Sequence, residues 1–210
     1  MPKNTFFTRD MLLDAAFGIF REEGLEAVSV RRIAAVTGSS TAPIYSCFAN
    51  VDEMREALIQ TAFEKLLRCT EREYTENFFL NIGIGMLEFA RENKVVYRTI
   101  FLADARGKAM YDNLFAVNRT QMMKEKTMKI FSDEEINTIL EKLTVYTYGL
   151  SAMICAGVMT ETSNEYLIRI LGQTGRDIIG ATAFFAGKFE EFMALQDNTG
   201  GSSCEKNCHS

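Results

Sequence analysis

Proline occurs only twice in the 210 residues, at positions 2 and 43. With so few prolines and few β-branched runs, little in the chain interrupts helices. Pro43 is therefore the informative exception. It sits inside TGSSTAPIYSCF, residues 37–48, whose end reads as a short helix closing on aromatic residues. In a helix interior proline removes a hydrogen bond and clashes with the preceding turn, which costs about 3 kcal/mol. In the first turn it gives up nothing, because those N–H groups have no partner within the helix. With Ser40 as N-cap, the sequence predicts a helix over 41–48 that opens on Thr41, Ala42 and Pro43. Ile44 and Phe48 then face inward, and Tyr45 and Ser46 lie on another face. The Ser40 hydroxyl is expected to cap the Ala42 N–H, since Pro43 has none.

The residues before this stretch are also helical in pattern. Leu12, Leu13, Ala16, Phe17 and Phe20 recur at helical spacing, and Gly24 stops that helix. Ser29 can cap a second helix over 30–36 that turns Val30, Ile33 and Ala34 inward. A fourth is expected from an Asp52 cap to about residue 69, with Met54, Leu58, Ala62 and Leu66 in register. Further helices are expected over 74–93, 95–103, 108–130, 133–157 and 165–195. Ser132 with Glu135 has the spacing of a capping box. The expected fold is all-α, with a three-helix head over 1–51 and a larger helical domain over 52–195. A polar tail over 196–210 is expected to be disordered.

Composition limits what such a fold can do. The chain is 47% hydrophobic with a net charge of −5, so it has a sizeable core and is not a generally basic nucleic-acid binder. Any contact with DNA must be local. The longest uncharged run, 143–160, contains threonines, tyrosines, a serine and glycines, which favours a buried helix over a membrane span. The start of the chain is polar without a secretory signal, and the five cysteines are scattered, which points to a reducing cytoplasm.

Two short helices joined by a glycine-containing turn make a helix-turn-helix, whose second helix can enter the major groove by its N-terminal end. Here that helix offers Ser40, Thr41, Ala42, Tyr45 and Ser46. Small residues at its start allow close approach to base edges, and hydroxyls and first-turn N–H groups can hold phosphates. The same pattern also fits three short helices that merely pack together.

The run 9–58 resembles the DNA-binding domain of the TetR family of bacterial transcription regulators. The marks are Ala15-Ala16, Ile19-Phe20, Gly24, Ser29-Val30, Ile33-Ala34, Gly38, Ser40, Ile44-Tyr45 and Phe48. The resemblance covers about a quarter of the chain; beyond it only helical architecture is shared. It implies operator DNA as a partner, contacted by Ser29, Arg31, Arg32, Ser39, Ser40, Thr41, Ala42, Tyr45, Ser46 and Cys47. Two positions depart from the family pattern: Cys47 stands where His is common, and Val51 where Lys is common. Both usual residues touch phosphate, so their loss should flatten the salt dependence of binding. Residues 1–50 hold five basic and five acidic side chains, which leaves Lys3, Arg9, Arg31 and Arg32 as candidate backbone contacts.

The resemblance also implies a C-terminal domain that dimerises and binds an inducer. Gly172, Gly175, Gly180, Ala181, Ala183, Ala186 and Gly187 let another helix come close. With the 143–160 run they fit a homodimer through the last two long helices, though packing within one monomer explains them as well. Candidate ligand residues are Phe79, Met86, Phe89, Tyr97, Phe101, Tyr111, Phe115, Asn118, Met122, Tyr146 and Met153. Tyr97, Tyr111, Tyr146, Tyr148 and Asn118 can supply hydrogen bonds in a largely apolar cavity, so the expected effector is small and mainly apolar. No cofactor is expected. Cys204, Cys208 and His209 give three candidate metal ligands, one short of a closed zinc site.

An enzyme is not expected. The single histidine is His209, and the chain has neither a Gly-rich phosphate loop nor a G-x-S-x-G motif. The expected function is a ligand-responsive repressor that binds operator DNA as a homodimer. The alternative is a helical ligand-binding or protein-interaction module with weak or lost DNA binding.

Overall fold

A computed structural model describes residues 7–102 and 107–200. Among them the regular elements are helices only, as the sequence predicts. The head comprises α1 (Arg9–Glu23), α2 (Val30–Thr37) and α3 (Ala42–Cys47). Thr8 caps α1, its hydroxyl accepting from the Met11 N–H at 3.2 Å, and Gly24 ends it at φ 95°. The long α4 (Val51–Thr70) leads out of the head. Its cap is Asn50 rather than Asp52. The Asn50 backbone is extended, and its Oδ1 accepts from the Glu53 N–H at 2.8 Å. Glu53 in turn accepts from the Ala49 N–H at 2.7 Å, so Asp52 is left inside the first turn, where its charge suits the helix dipole.

The second domain consists of α5 (Phe78–Glu92), α6 (Lys94–Tyr97), α7 (Gly107–Met122), α8 (Asp133–Ala156), α9 (Asn164–Phe185) and α10 (Phe189–Gly200). Several limits differ from the sequence pattern. The 74–93 helix starts only at Phe78, because Asn77 caps it with a 2.7 Å bond from Leu80 N–H. The 95–103 helix begins at Lys94 and loosens into a π-turn over Arg98–Leu102. The 108–130 helix stops at Met122 and resumes as a 3-10 turn over Lys126–Ile130. The 165–195 helix is two helices. Gly187, at φ 72°, lets the Lys188 N–H turn back onto the Ala183 carbonyl at 2.8 Å, which closes α9 and starts α10 at an angle. The capping box at α8 forms as expected: Ser132 Oγ accepts from Glu135 N–H at 3.3 Å, and Glu135 accepts from Ser132 N–H at 2.6 Å.

One apolar core runs from the head through α4 into the second domain. It includes Leu12, Phe20, Ile33, Ile44, Met54 and Leu58 and continues to Phe89, Val96 and Tyr97. At the α4–α5 crossing, Gly85 lies directly on the end of α4: a Cβ there would be 2.3 Å from the Cys69 carbonyl oxygen. Next to the crossing, the buried Glu88 carboxylate accepts from Arg72 at 3.0 Å and from the Tyr74 hydroxyl. Arg91, 3.8 Å from Glu88, also donates to Asn164 Oδ1 at 3.0 Å and so ties α5 to the first residue of α9.

Candidate functional site

The head holds its third helix by apolar anchors. Ile44 is fully buried and Phe48 nearly so, as the i, i+4 spacing predicts. The 143–160 run, by contrast, is not wholly buried: Leu150 and Ile154 face inward, while Val145 stands 70% exposed.

The turn between α2 and α3 is built from hydroxyls. Gly38 takes the left-handed conformation at φ 65°. Thr37 Oγ1 donates to the Ile33 carbonyl at 2.8 Å and lies 2.9 Å from Ser39 Oγ, which donates to the Ser40 carbonyl at 2.9 Å. The expected Ser40 cap is not made. Thr41 is the N-cap, with its carbonyl accepting from Tyr45 N–H at 3.2 Å, and no side chain caps the helix. Pro43 still falls within the first turn, where the argument from its missing N–H placed it. The same proline disfavours the Ser40 cap: the other side-chain caps bond the N–H three residues on, and for Ser40 that position is Pro43, which has no hydrogen to give. Ser40 and Thr41 are both exposed, and neither hydroxyl is used to cap α3.

Ala42, Tyr45 and Ser46 are exposed as well, and Tyr45 keeps 59% of its surface in solvent. Ser46 Oγ donates to the Ala42 carbonyl at 3.0 Å, and Cys47 is half-buried. Ser29 is occupied as the α2 cap, accepting from the Arg32 N–H at 3.3 Å. The cations differ in freedom. Arg9 lies 4.5 Å over the Phe48 ring and 3.5 Å from Glu53, and Arg32 pairs with Glu23. Arg31 is exposed on α2 with no ion pair among the described residues. Lys3 lies outside the described residues, as do Cys204, Cys208 and His209.

The second domain contains a cavity of about 180 Å³ between α5, α8 and α9. Phe79 and Met86 line it, as do Thr144, Leu171 and Arg176. Most other candidate ligand residues form an aromatic cluster on α5 to α8. Phe89 is 6.5 Å from Tyr97, Tyr97 is 4.8 Å from Phe101, and Phe101 is 6.4 Å from Tyr148. Tyr111 stacks on Phe115 at 6.1 Å and meets Tyr148 edge-on at 5.6 Å. Asn118 is buried on α7, and Met122 packs into a separate core with Ile136 and Ile139. Tyr146 packs half-buried near Leu150 and Leu167. Met153 is 42% exposed, and neither it nor Tyr146 lines the cavity.

Within this interior Tyr97 OH, Tyr148 OH, Asn118 Oδ1 and Thr144 Oγ1 are buried without a hydrogen-bond partner. Neighbouring hydroxyls on α8 are satisfied: Thr147 donates to the Leu143 carbonyl and Ser151 to the Thr147 carbonyl, each at 2.9 Å. Burial pushes the Tyr97 phenol well above its ordinary pKa, and pushes Tyr148, helped by nearby Tyr111, up to about 12. Both are therefore neutral donors at physiological pH. Sequence reasoning missed Thr144 and Arg176 because a threonine within an apolar stripe and an arginine on an exposed helix face carry no distinguishing pattern.

This is an all-helical helix-turn-helix protein with a second helical domain behind the reading head. Residues 12–58 match the bacterial regulatory proteins, tetR family. The HTH-type nicotine-responsive transcriptional repressor HdnoR of Paenarthrobacter nicotinovorans is 35% identical over 72 residues, which is 34% of this chain and 37% of that repressor. The alignment thus spans little more than a third of the curated relative. Over nearly the whole chain, the fold is similar to the crystal structure of a tetR-family transcriptional regulator from Streptomyces coelicolor. The TM-score is 0.69 at 15% identity, over 95% of this chain and 90% of that one. A TetR-like transcriptional regulator from Rhodococcus sp. RHA1 gives 0.58 at 19% identity, over 82% and 96%. Residues 12–58 thus carry the tetR-family pattern, and the fold of the chain is similar to that of tetR-family regulators.

Proposed function

We propose that the protein is a repressor that binds operator DNA as a homodimer through α3 and leaves it when a small molecule enters the second domain. The observation that carries this reading is the outer face of α3. Tyr45 is a large aromatic side chain held 59% exposed beside uncommitted Ser40 and Thr41 hydroxyls, on a helix anchored from behind by Ile44 and Phe48. Nothing in the monomer's packing calls for that tyrosine, whereas base edges and sugar–phosphate do. On this reading the head is 1–51 and the sensor 52–195. Ser29, Arg31, Arg32, Ser39, Ala42, Ser46 and Cys47 complete the DNA-facing set.

The homodimer reading is supported by apolar surface on the last long helices. Val145 is 70%, Phe184 64% and Phe185 86% exposed, on α8 and α9. Solvent does not favour such residues, and a second copy of the same two helices would cover them. Two α3 helices must then sit about 34 Å apart to read successive major grooves. A guest that prefers another spacing opposes DNA by its differential affinity, typically about 1–3 kcal/mol.

A gel shift on the DNA upstream of the protein's own gene tests the proposal. Tyr45→Ala should weaken binding at least about tenfold, the loss expected from one good base contact, with unchanged thermal unfolding. The salt dependence should be shallow, since Cys47 and Val51 replace two phosphate-touching residues. No binding at low salt across many promoter fragments would instead favour a sensor module that has lost its operator.

A further inference from the structure

The cavity between α5, α8 and α9 has a chemical character that narrows its guest. Its wall is largely apolar, with Phe79, Met86 and Leu171 among the contributors, and Arg176 is the only charged lining residue among the described residues. Arg176 stands exposed on α9 and has no ion-pair partner among the described residues. Facing it across the helix pair is Thr144. The two residues lie equally far along α8 and α9 from the 157–163 turn, so antiparallel pairing brings them to one level. The Thr144 side chain is unusual on its helix. Thr138, Thr147 and Ser151 all donate to the carbonyl four residues back, whereas the buried Thr144 hydroxyl makes no bond. A rotation about its χ1 can therefore offer the hydroxyl to a guest without breaking any existing hydrogen bond.

We propose that this cavity binds a compact monocarboxylate, a one-ring or short-chain acid. Its apolar body lies against the α5 wall, and its carboxylate meets the Arg176 guanidinium and the Thr144 hydroxyl. This deepens the reading that the second domain receives an effector, and rests on it. The size fits: a dry cavity of about 150 Å³ accommodates a single benzene ring. The charge fits as well, because guanidinium matches a planar carboxylate and the lining contains no acid to repel it. An amine would meet Arg176 with like charge.

Isothermal titration of the full chain, without DNA, tests the proposal with benzoate and hexanoate as probes and benzamide and benzylamine as comparators. One or both acids should bind and raise the melting temperature, and benzamide should bind at least about tenfold more weakly, the worth of one charge-assisted hydrogen bond. Arg176→Gln should remove that preference without altering benzamide binding. Thr144→Val, nearly isosteric, should weaken the acids, while Thr138→Val, on the same helix but outside the cavity, should leave them unchanged. The proposal is overturned if neither acid binds up to about 10 mM. It is equally overturned if benzamide or benzylamine matches the acids, or if Arg176→Gln leaves their affinity intact. A gel shift on the same preparation separates the two readings: intact operator binding with no acid binding sinks only the carboxylate site. Acid binding without operator binding supports the site and sinks only the DNA reading.

Discussion

The head and the second domain, the sensor of the proposed function, are packed by different rules. In the head, residues 9–50, no side-chain nitrogen or oxygen among the described residues is buried without a partner, and the core is apolar from Leu12 to Phe48. Beyond it, five such atoms sit inside with no partner: Arg55 Nε on α4, and one each on Tyr97, Asn118, Thr144 and Tyr148 in the second domain. A buried unpaired polar group costs about 1–3 kcal/mol, so the sensor carries a burden that the head does not. The contrast is between a fully satisfied head and an interior that leaves hydrogen-bonding capacity unused.

The strongest way to sharpen this contrast uses two glycines in the middle of helices. Gly18 in α1 has no atom within 4 Å of where a Cβ would go, whereas at Gly85 in α5 that Cβ would lie 2.3 Å from the Cys69 carbonyl oxygen. Gly85→Ala should destabilise the chain by about 3 kcal/mol or more, because the obstruction is backbone and cannot swing aside. Gly18→Ala should stabilise it by about 0.5–1 kcal/mol through helix propensity. Chemical denaturation of both variants gives the two signs. Equal effects would show that the α4–α5 crossing is not the tight contact it looks to be.

These two glycines also show how far the sequence could be read. Each is a glycine inside a helical pattern, and the pattern is silent about what crosses above it. The head was legible because its signals are local. Ser29 as a cap, Gly24 and Gly38 as stops, and the Val30, Ile33, Ala34 face all form from residues close in sequence. Pro43 fixed the opening of α3 to within one residue, and the error fell on the choice between Ser40 and Thr41 as cap. The second domain was legible only as helices, one of them with a capping box. Its breaks came from Gly187, read as a packing residue, and from the π-turn after Tyr97, neither of which has a compositional mark. Of the candidate ligand residues, Phe79 and Met86 reached the cavity because they sit on the inner stripe of α5. The polar pair Thr144 and Arg176 depends on how α8 and α9 pair, which is a tertiary fact.

A second test compares one core residue from each region. Ile44→Ala should cost about 2–5 kcal/mol, since a fully buried side chain leaves a cavity behind α3. Tyr97→Phe removes a buried hydroxyl that lies beside Ser151 but makes no hydrogen bond of normal geometry, and should be neutral or stabilising by up to about 1 kcal/mol. If Tyr97→Phe destabilises by as much as an ordinary buried hydrogen bond, its hydroxyl is already paired in the free protein. The sensor would then lose part of its contrast with the head. Thermal unfolding of the two variants, followed beside the parent, separates these cases.

The smallest expected effect lies at the hinge between α9 and α10, where a solvent-accessible ion pair takes the place of the unpaired groups inside. Lys188 Nζ is 2.6 Å from Glu135 Oε2, and the same carboxylate closes the α8 capping box by accepting from Ser132 N–H. Lys188, and after it the Ser132 backbone, hold the Glu135 carboxyl below its ordinary pKa. A group whose folded pKa is lowered adds stability above its unfolded pKa and loses it as pH falls through the folded value. Lys188→Met should therefore lower the melting temperature slightly at pH 7, and the difference from the parent should shrink as pH falls below about 4.3. Both groups are solvent-accessible, so added salt should narrow the gap at pH 7 too. A difference that persists unchanged at low pH would assign the loss to the Lys188 chain packing over Phe131, 5.9 Å from the ring centre, rather than to charge.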